Sequence, residues 1–212
     1  MQTGPHPTRH ALILAIAATL LASSAFAQQG MSTSKQGQGR MNAAQVDRMI
    51  AAWPKASREA VAFLTKKYGQ PPAVTADAAI RGTAGLWKRT LVLREEVTHN
   101  VPMPRTDVMQ QWVDYRAPAG KYDELTAYDG SVAMERTAGE MSARCDKEGA
   151  NFLAVNLADE VARGKRSVDD ARMKYGEQIM AMKAGKPAPC TTGLRFPVAA
   201  ITEDADKALP GM

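Results

Sequence analysis

The stretch CDKEGANFLAVNLADEVARGKRSVDDARMKYGEQIMAMKAGKP, residues 145–187, carries the clearest periodicity in the chain. Ala150, Leu153, Leu157 and Val161 recur at the spacing of one helix face. Asp146 can cap that helix, and Gly164 stops it after Arg163. Ser167 and Asp170 approximate a capping box, with Asp in place of the usual Glu. Val168, Ala171, Tyr175, Ile179 and Met182 form a second stripe, which Gly185 and Pro187 close. Two helices with so short a link predict an antiparallel helical hairpin.

Upstream of the hairpin the period changes to that of strands. SVAMERTAGEMSAR, residues 131–144, reads as two strands turning near Thr137-Ala138-Gly139. KYDELTAYDG, residues 121–130, predicts a short helix with Tyr122 and Leu125 on one side and Gly130 as its stop. Val108 to Tyr115 alternates, placing Met109, Val113 and Tyr115 together. Trp87 to Val97 alternates too, with Trp87, Leu91, Leu93 and Val97 on the expected inner face. Earlier still, Val46, Met49, Ile50 and Trp53 are spaced for a helix that Pro54 ends. A second helix is capped by Ser57, faces inward through Val61 and Leu64, and closes at Gly69 and Pro71. The expected fold class is α+β: N-terminal helices, a small antiparallel sheet and a C-terminal antiparallel helical hairpin.

The N-terminus reads as an export signal. Residues 1–10 hold one cation, Arg9, and no acid; ALILAIAATLL follows as an apolar core, and Ala25 and Ala27 flank Phe26 in a cleavage pattern. Eleven apolar residues are short of the roughly 20 needed to span a membrane. The expected organisation is a signal peptide over 1–27, a disordered Gly/Gln/Ser linker over 28–40, a single domain over 41–197 and a flexible tail over 198–212. Cleavage removes 27 of 212 residues, leaving 185, and lowers the formal net charge from +5 to +4 with the loss of Arg9. The remaining cations are spread out, so no nucleic-acid patch is read. No second apolar run approaches membrane length. The expected location is periplasmic or secreted.

In an oxidising compartment two cysteines are a candidate disulfide, Cys145 with Cys190. With the hairpin hinge near Arg166, both are expected at its open end. Closing a loop of 44 intervening residues would stabilise the fold by about 4 kcal/mol. The competing reading is a buried free Cys145 and a loose Cys190.

The chain lacks C-x-x-C, H-E-x-x-H, G-x-S-x-G, a Walker loop and G-x-G-x-x-G. His99 is the one histidine left after cleavage, since His6 and His10 lie in the signal. It is the weak catalytic candidate, as general base or ligand, but no nucleophile or orienting acid stands at readable spacing. Its competing role is a polar residue bonded to a turn. Met103, Met109, Met134, Met141, Met173, Met180 and Met182 could supply thioethers to Cu(I). Their scatter fits core filling better. No cofactor or metal site is assigned. Glu95-Glu96, Asp123-Glu124 and Asp169-Asp170 are each explained by strand alternation or a helix start.

WPKASREAVAFLTKKYGQP, WKRTLVLREEVTHNVPMPRTDV, KYDELTAYDGSV and GEMSARCDKEGANFLAVNLADEVARGKRSVDDAR together resemble an uncharacterised family of exported bacterial proteins with no established activity. The resemblance covers most of residues 53–195. It implies export and one compact domain, and nothing about mechanism. The leading expectation is an exported, non-catalytic binding or envelope-accessory domain with an unknown protein or small-molecule partner. The alternative is a small periplasmic enzyme using His99.

Overall fold

The computed structural model describes residues 41–200, 204 and 206–211. The expected signal peptide and linker lie outside these residues. Five helices and six strands are seen among them. In chain order they are α1 (Ala43–Ile50), α2 (Lys55–Tyr68), β1 (Ala73–Val74), β2 (Ala78–Arg81), β3 (Arg89–His99) and β4 (Arg105–Asp114). Then come α3 (Tyr122–Tyr128), β5 (Val132–Glu135), β6 (Glu140–Cys145), α4 (Glu148–Ala162) and α5 (Val168–Lys183). The strands form one antiparallel sheet in the order β1-β2-β3-β4-β6-β5. The fold is α+β, and the C-terminal helices pack together as the hairpin reading requires.

Helix α4 is the centre of the larger core. The sequence stripe is buried, and so are Phe152, Ala154, Val155 and Ala158 around the rest of the helix. A helix apolar on all sides belongs inside, enclosed by other elements. The sheet takes one side through Val113, Met141 and Ala143. Helices α3 and α5 and the returning segment at Phe196 take the others. Both hairpin helices end in a Schellman motif, in which a left-handed residue lets two N–H groups cap the last turn. Gly164, at φ 67°, donates to Val161 O, and Lys165 donates to Glu160 O. Gly185 and Lys186 repeat this on Met182 and Ala181.

The start of α4 differs from the sequence reading. Lys147, not Asp146, is the N-cap, and it makes no side-chain cap. The first helical residue, Glu148, is buried and accepts from Tyr68 Oη at 2.7 Å and Trp87 Nε1 at 3.0 Å, with Lys67 also paired to it. This carboxylate joins the end of α2 to the start of α4. The smaller core sits under α1 and α2 and holds Val46, Ile50, Trp53, Val61, Leu64, Val92 and Met109. Arg81 in β2 donates to Gly69 O at 2.7 Å, placing a cation on the carbonyl end of α2.

Two further expectations are corrected. Ser57 does not cap α2; Pro54 holds that position, and its fixed φ suits a helix start. Ser57 is inside the helix and donates its hydroxyl to Leu93 O at 2.7 Å. The inner face of β3 is Thr90 and Val92, not Leu91, Leu93 and Val97. Trp87 misleads the alternation because it sits in a turn before the strand, bonded to Ala84 and stacked on Phe152 at 4.6 Å. Val97 is displaced by a register shift between Val92 and Val97.

This parity assignment has a direct test. Leu157→Ala should cost about 2–5 kcal/mol in urea unfolding, whereas Leu91→Ala should cost about 1 kcal/mol or less. Equal losses would place Leu91 in the core and overturn the assignment.

Candidate functional site

The polar cluster around His99 lies where the β3–β4 hairpin folds over α5. His99 ends β3 and pairs in register with Arg105, the first residue of β4. Strand alternation puts Asp107 on the same side as Arg105, so three polar side chains share one patch. The hairpin tip rests on α5: a Cβ added at Gly176 would stand 3.6 Å from Pro102 Cβ. Lys183 Nζ reaches Met103 Sδ at 2.8 Å.

Within the cluster, His99 Nδ1 is 2.9 Å from Asp107 Oδ2, and Nε2 is 3.7 Å from Asp129 Oδ1. Arg105 Nε donates to Asp107 Oδ1 at 3.0 Å, and Nη2 stands 2.8 Å from His99 Nδ1. Nη1 donates to Val101 O, and Nη2 is 3.8 Å from Cys145 Sγ. The guanidinium carbon lies 5.5 Å from the centroid of the Tyr175 ring. Tyr175 Oη is 3.6 Å from Cys145 Sγ. Asp129, just after α3, accepts from Ser131 N at 2.8 Å and Ser131 Oγ at 2.7 Å. Five elements or their ends thus meet: β3, β4, α3, β6 and α5.

Nδ1 of His99 faces both a donor and an acceptor. Bare, it accepts from Arg105; carrying hydrogen, it donates to Asp107. Which of the two contacts is a hydrogen bond therefore depends on whether the hydrogen sits on Nδ1. Burial pushes the Asp107 carboxyl up, and this outweighs the pull of Arg105 and His99. Burial also works against the Arg105 charge, but its acidic neighbours, Asp107 and Asp129 among them, outweigh it and hold that charge firmly. Tyr175 and Cys145 are themselves pushed up by burial and stay protonated at neutral pH.

An imidazole oriented by a carboxylate is half of a nucleophile-activating arrangement. Neither Cys145 nor Tyr175 supplies the other half. Cys145 is fully buried with its thiol pushed up, the opposite of a reactive cysteine. Tyr175 is equally buried. The His99 side chain is 18% exposed, while those of Asp107 and Asp129 are 3% exposed. The arrangement is well suited to clamping the hairpin onto the helices.

The candidate disulfide is not formed; both cysteines are free. Its geometric basis fails because the chain after α5 folds back across α4. Asn156, in the middle of α4, donates to Cys190 O at 3.0 Å and Gly193 O at 2.8 Å. Cys190 is thereby held against the middle of α4, and its N–H donates to Gln178 Oε1 of α5 at 3.4 Å. Cys145 stays beside Arg105, Asp107 and Asp129. Among the described residues, no group of three or more His, Cys, Asp or Glu side chains is placed to hold a metal. The methionines are distributed: Met109 and Met141 are buried, Met134 and Met182 pack against the core, and Met173 and Met180 are exposed.

Sequence reading found His99 but missed Arg105, Asp107 and Asp129. The hairpin was the available signal: pairing THN with RTD across the turn puts His99 opposite Arg105 and Asp107 two residues on. Asp129 arrives only through the packing of α3.

Removing the central cation should leave the buried carboxylates uncompensated. Arg105→Met is expected to lower unfolding free energy by about 3–5 kcal/mol in chemical denaturation; a loss near zero would show that the cluster does not clamp the fold. No family model, no curated protein and no solved structure matches this chain.

Proposed function

We propose that this chain is an exported, non-catalytic binding domain, of the envelope-accessory kind, which engages a partner through the outer face of its sheet. The observation that carries this reading is the apolar strip on that face. Ile80 pairs directly with Leu91, and Leu93 and Trp112 extend the strip along and diagonally across the strands. None of the four belongs to or packs against either hydrophobic core. Ile80 is 39% exposed, and the other three are half-buried.

Charged side chains border the strip. Arg89 lies 4.6 Å from the Trp112 ring and pairs with Glu140, while Lys88 bridges Asp114 at 2.6 Å and Glu140 at 2.8 Å. An apolar centre within a polar rim is the usual anatomy of a recognition surface. Export rests on the pattern of residues 1–27 and places the partner in the periplasm or outside the cell. Among the described residues, no helix is long and apolar enough to cross a membrane.

The second reading, a small enzyme using His99, is favoured by one feature, the 2.9 Å contact between His99 and Asp107. The two readings separate in cells that export the protein. A photo-cross-linking residue placed at Leu91 should yield a discrete adduct, and one at the exposed Glu177 on α5 should not. Adducts from Glu177 alone would refute the outer face as the docking surface. Loss of biological effect in His99→Ala with an unchanged melting temperature would favour the enzyme.

A further inference from the structure

A second site lies at the opposite end of β4 from His99. A cavity of about 140 Å³ opens between the end of β4, the segment leading into α3 and the β5–β6 turn. Tyr115 and Tyr122 supply aromatic surface, Arg116 and Arg136 supply charge, and two alanines and a glycine complete the lining. The lining holds two cations and no acid. One water takes roughly 30 Å³ in the liquid, so the space suits a side chain rather than a single solvent molecule.

Its walls are held in place. The Tyr115 hydroxyl donates to Asp159 at 3.0 Å, and Asp159 also accepts from Arg163 at 2.7 Å. The ring of Tyr115 meets Phe196 edge-on, with centroids 5.2 Å apart. Among the described residues, the Arg136 side chain, by contrast, has no hydrogen-bond or ion-pair partner in the body of the fold. It is engaged by the chain's own C-terminal segment: Nη1 donates to Asp206 Oδ2 at 2.8 Å, and Nη2 pairs with the other oxygen. Asp206 N donates to Asp204 Oδ1 at 3.0 Å, so both aspartates stand near Arg136 at the mouth of the cavity.

From this we infer that the cavity is a recognition site for an acidic peptide segment, and that Asp204 and Asp206 occupy its mouth as an internal substitute for that ligand. The forked contact of a guanidinium with a carboxylate selects the ligand class. The aromatic walls select a peptide with apolar groups beside its acids over a bare anion. Both partners of the pair are about half exposed, at 46% and 52%, and exposed ion pairs are individually weak. A weak site can be filled by a tethered segment, because a short tether gives an effective concentration on the order of millimolar. The same weakness lets an external acidic segment displace it. This site is independent of the outer sheet face.

The test uses the full mature chain and a fluorescein-labelled peptide of sequence ITEDADKALPGM, residues 201–212, followed by anisotropy. In the Asp204→Asn/Asp206→Asn protein the internal ligand is disabled, and the peptide should bind at least ten-fold more tightly than to the wild-type chain. Adding Arg136→Glu to that protein should abolish the gain, and a peptide carrying both Asp→Asn changes should bind at least ten-fold more weakly. Equal binding by the wild-type and double-variant chains, binding that ignores Arg136, or no binding to any of the proteins would each overturn the inference. Thermal melts of the same variants, expected within a few degrees of wild type, separate loss of the site from loss of the fold.

Discussion

The burial of α4 on every side is the constraint on which the rest of the structure depends. A helix carrying Leu153, Leu157 and Val161 on one side and Phe152 and Val155 on others needs several elements around it. The sheet, α3, α5 and the returning segment at Phe196 supply them. Because α4 starts at Glu148, and Glu148 is held by Tyr68 and Trp87, α2 is drawn onto the same sheet face. The helices therefore gather on one side. The other side keeps Ile80, Leu91, Leu93 and Trp112 outside both cores.

The same arrangement explains the His99 cluster. The β3–β4 hairpin extends beyond its pairing with β2 and β6 and folds over α5. Asp107 and Asp129 are buried where it crosses, with Arg105 and His99 partly buried beside them, and each must find a partner because an isolated buried charge is costly. Cys145 and Tyr175 complete the enclosure and remain neutral. What the cluster does for the fold is visible in every contact it makes. The outer face makes no comparable set of contacts with the helices, which is why the functional proposal rests there.

The sequence made the helical hairpin legible because its two stripes, the Ser167 cap and the two closing glycines all agree. The β5–β6 turn was legible for a similar reason. Other features were hidden by non-local packing. The strands β1 and β2, at two and four residues, are too short to show a period. The parity of β3 was obscured by Trp87, a core residue that precedes the strand rather than belonging to it. The Cys145–Cys190 expectation assumed that the chain after α5 runs straight to the open end, whereas Asn156 captures it midway. Of the site, His99 was visible as a solitary imidazole. Its partners were not, because they come from the other hairpin strand and from the end of α3.

The central claim is that the outer sheet face binds and the His99 cluster holds the fold. The most direct measurement compares Trp112→Ala with His99→Ala in cells that depend on the protein, scoring biological effect and melting temperature together. The account predicts that Trp112→Ala loses the effect with its melting temperature nearly unchanged, and that His99→Ala melts lower but keeps the effect wherever it remains folded. The reverse pattern, with an inert but stable His99→Ala protein and a fully active Trp112→Ala protein, would contradict it.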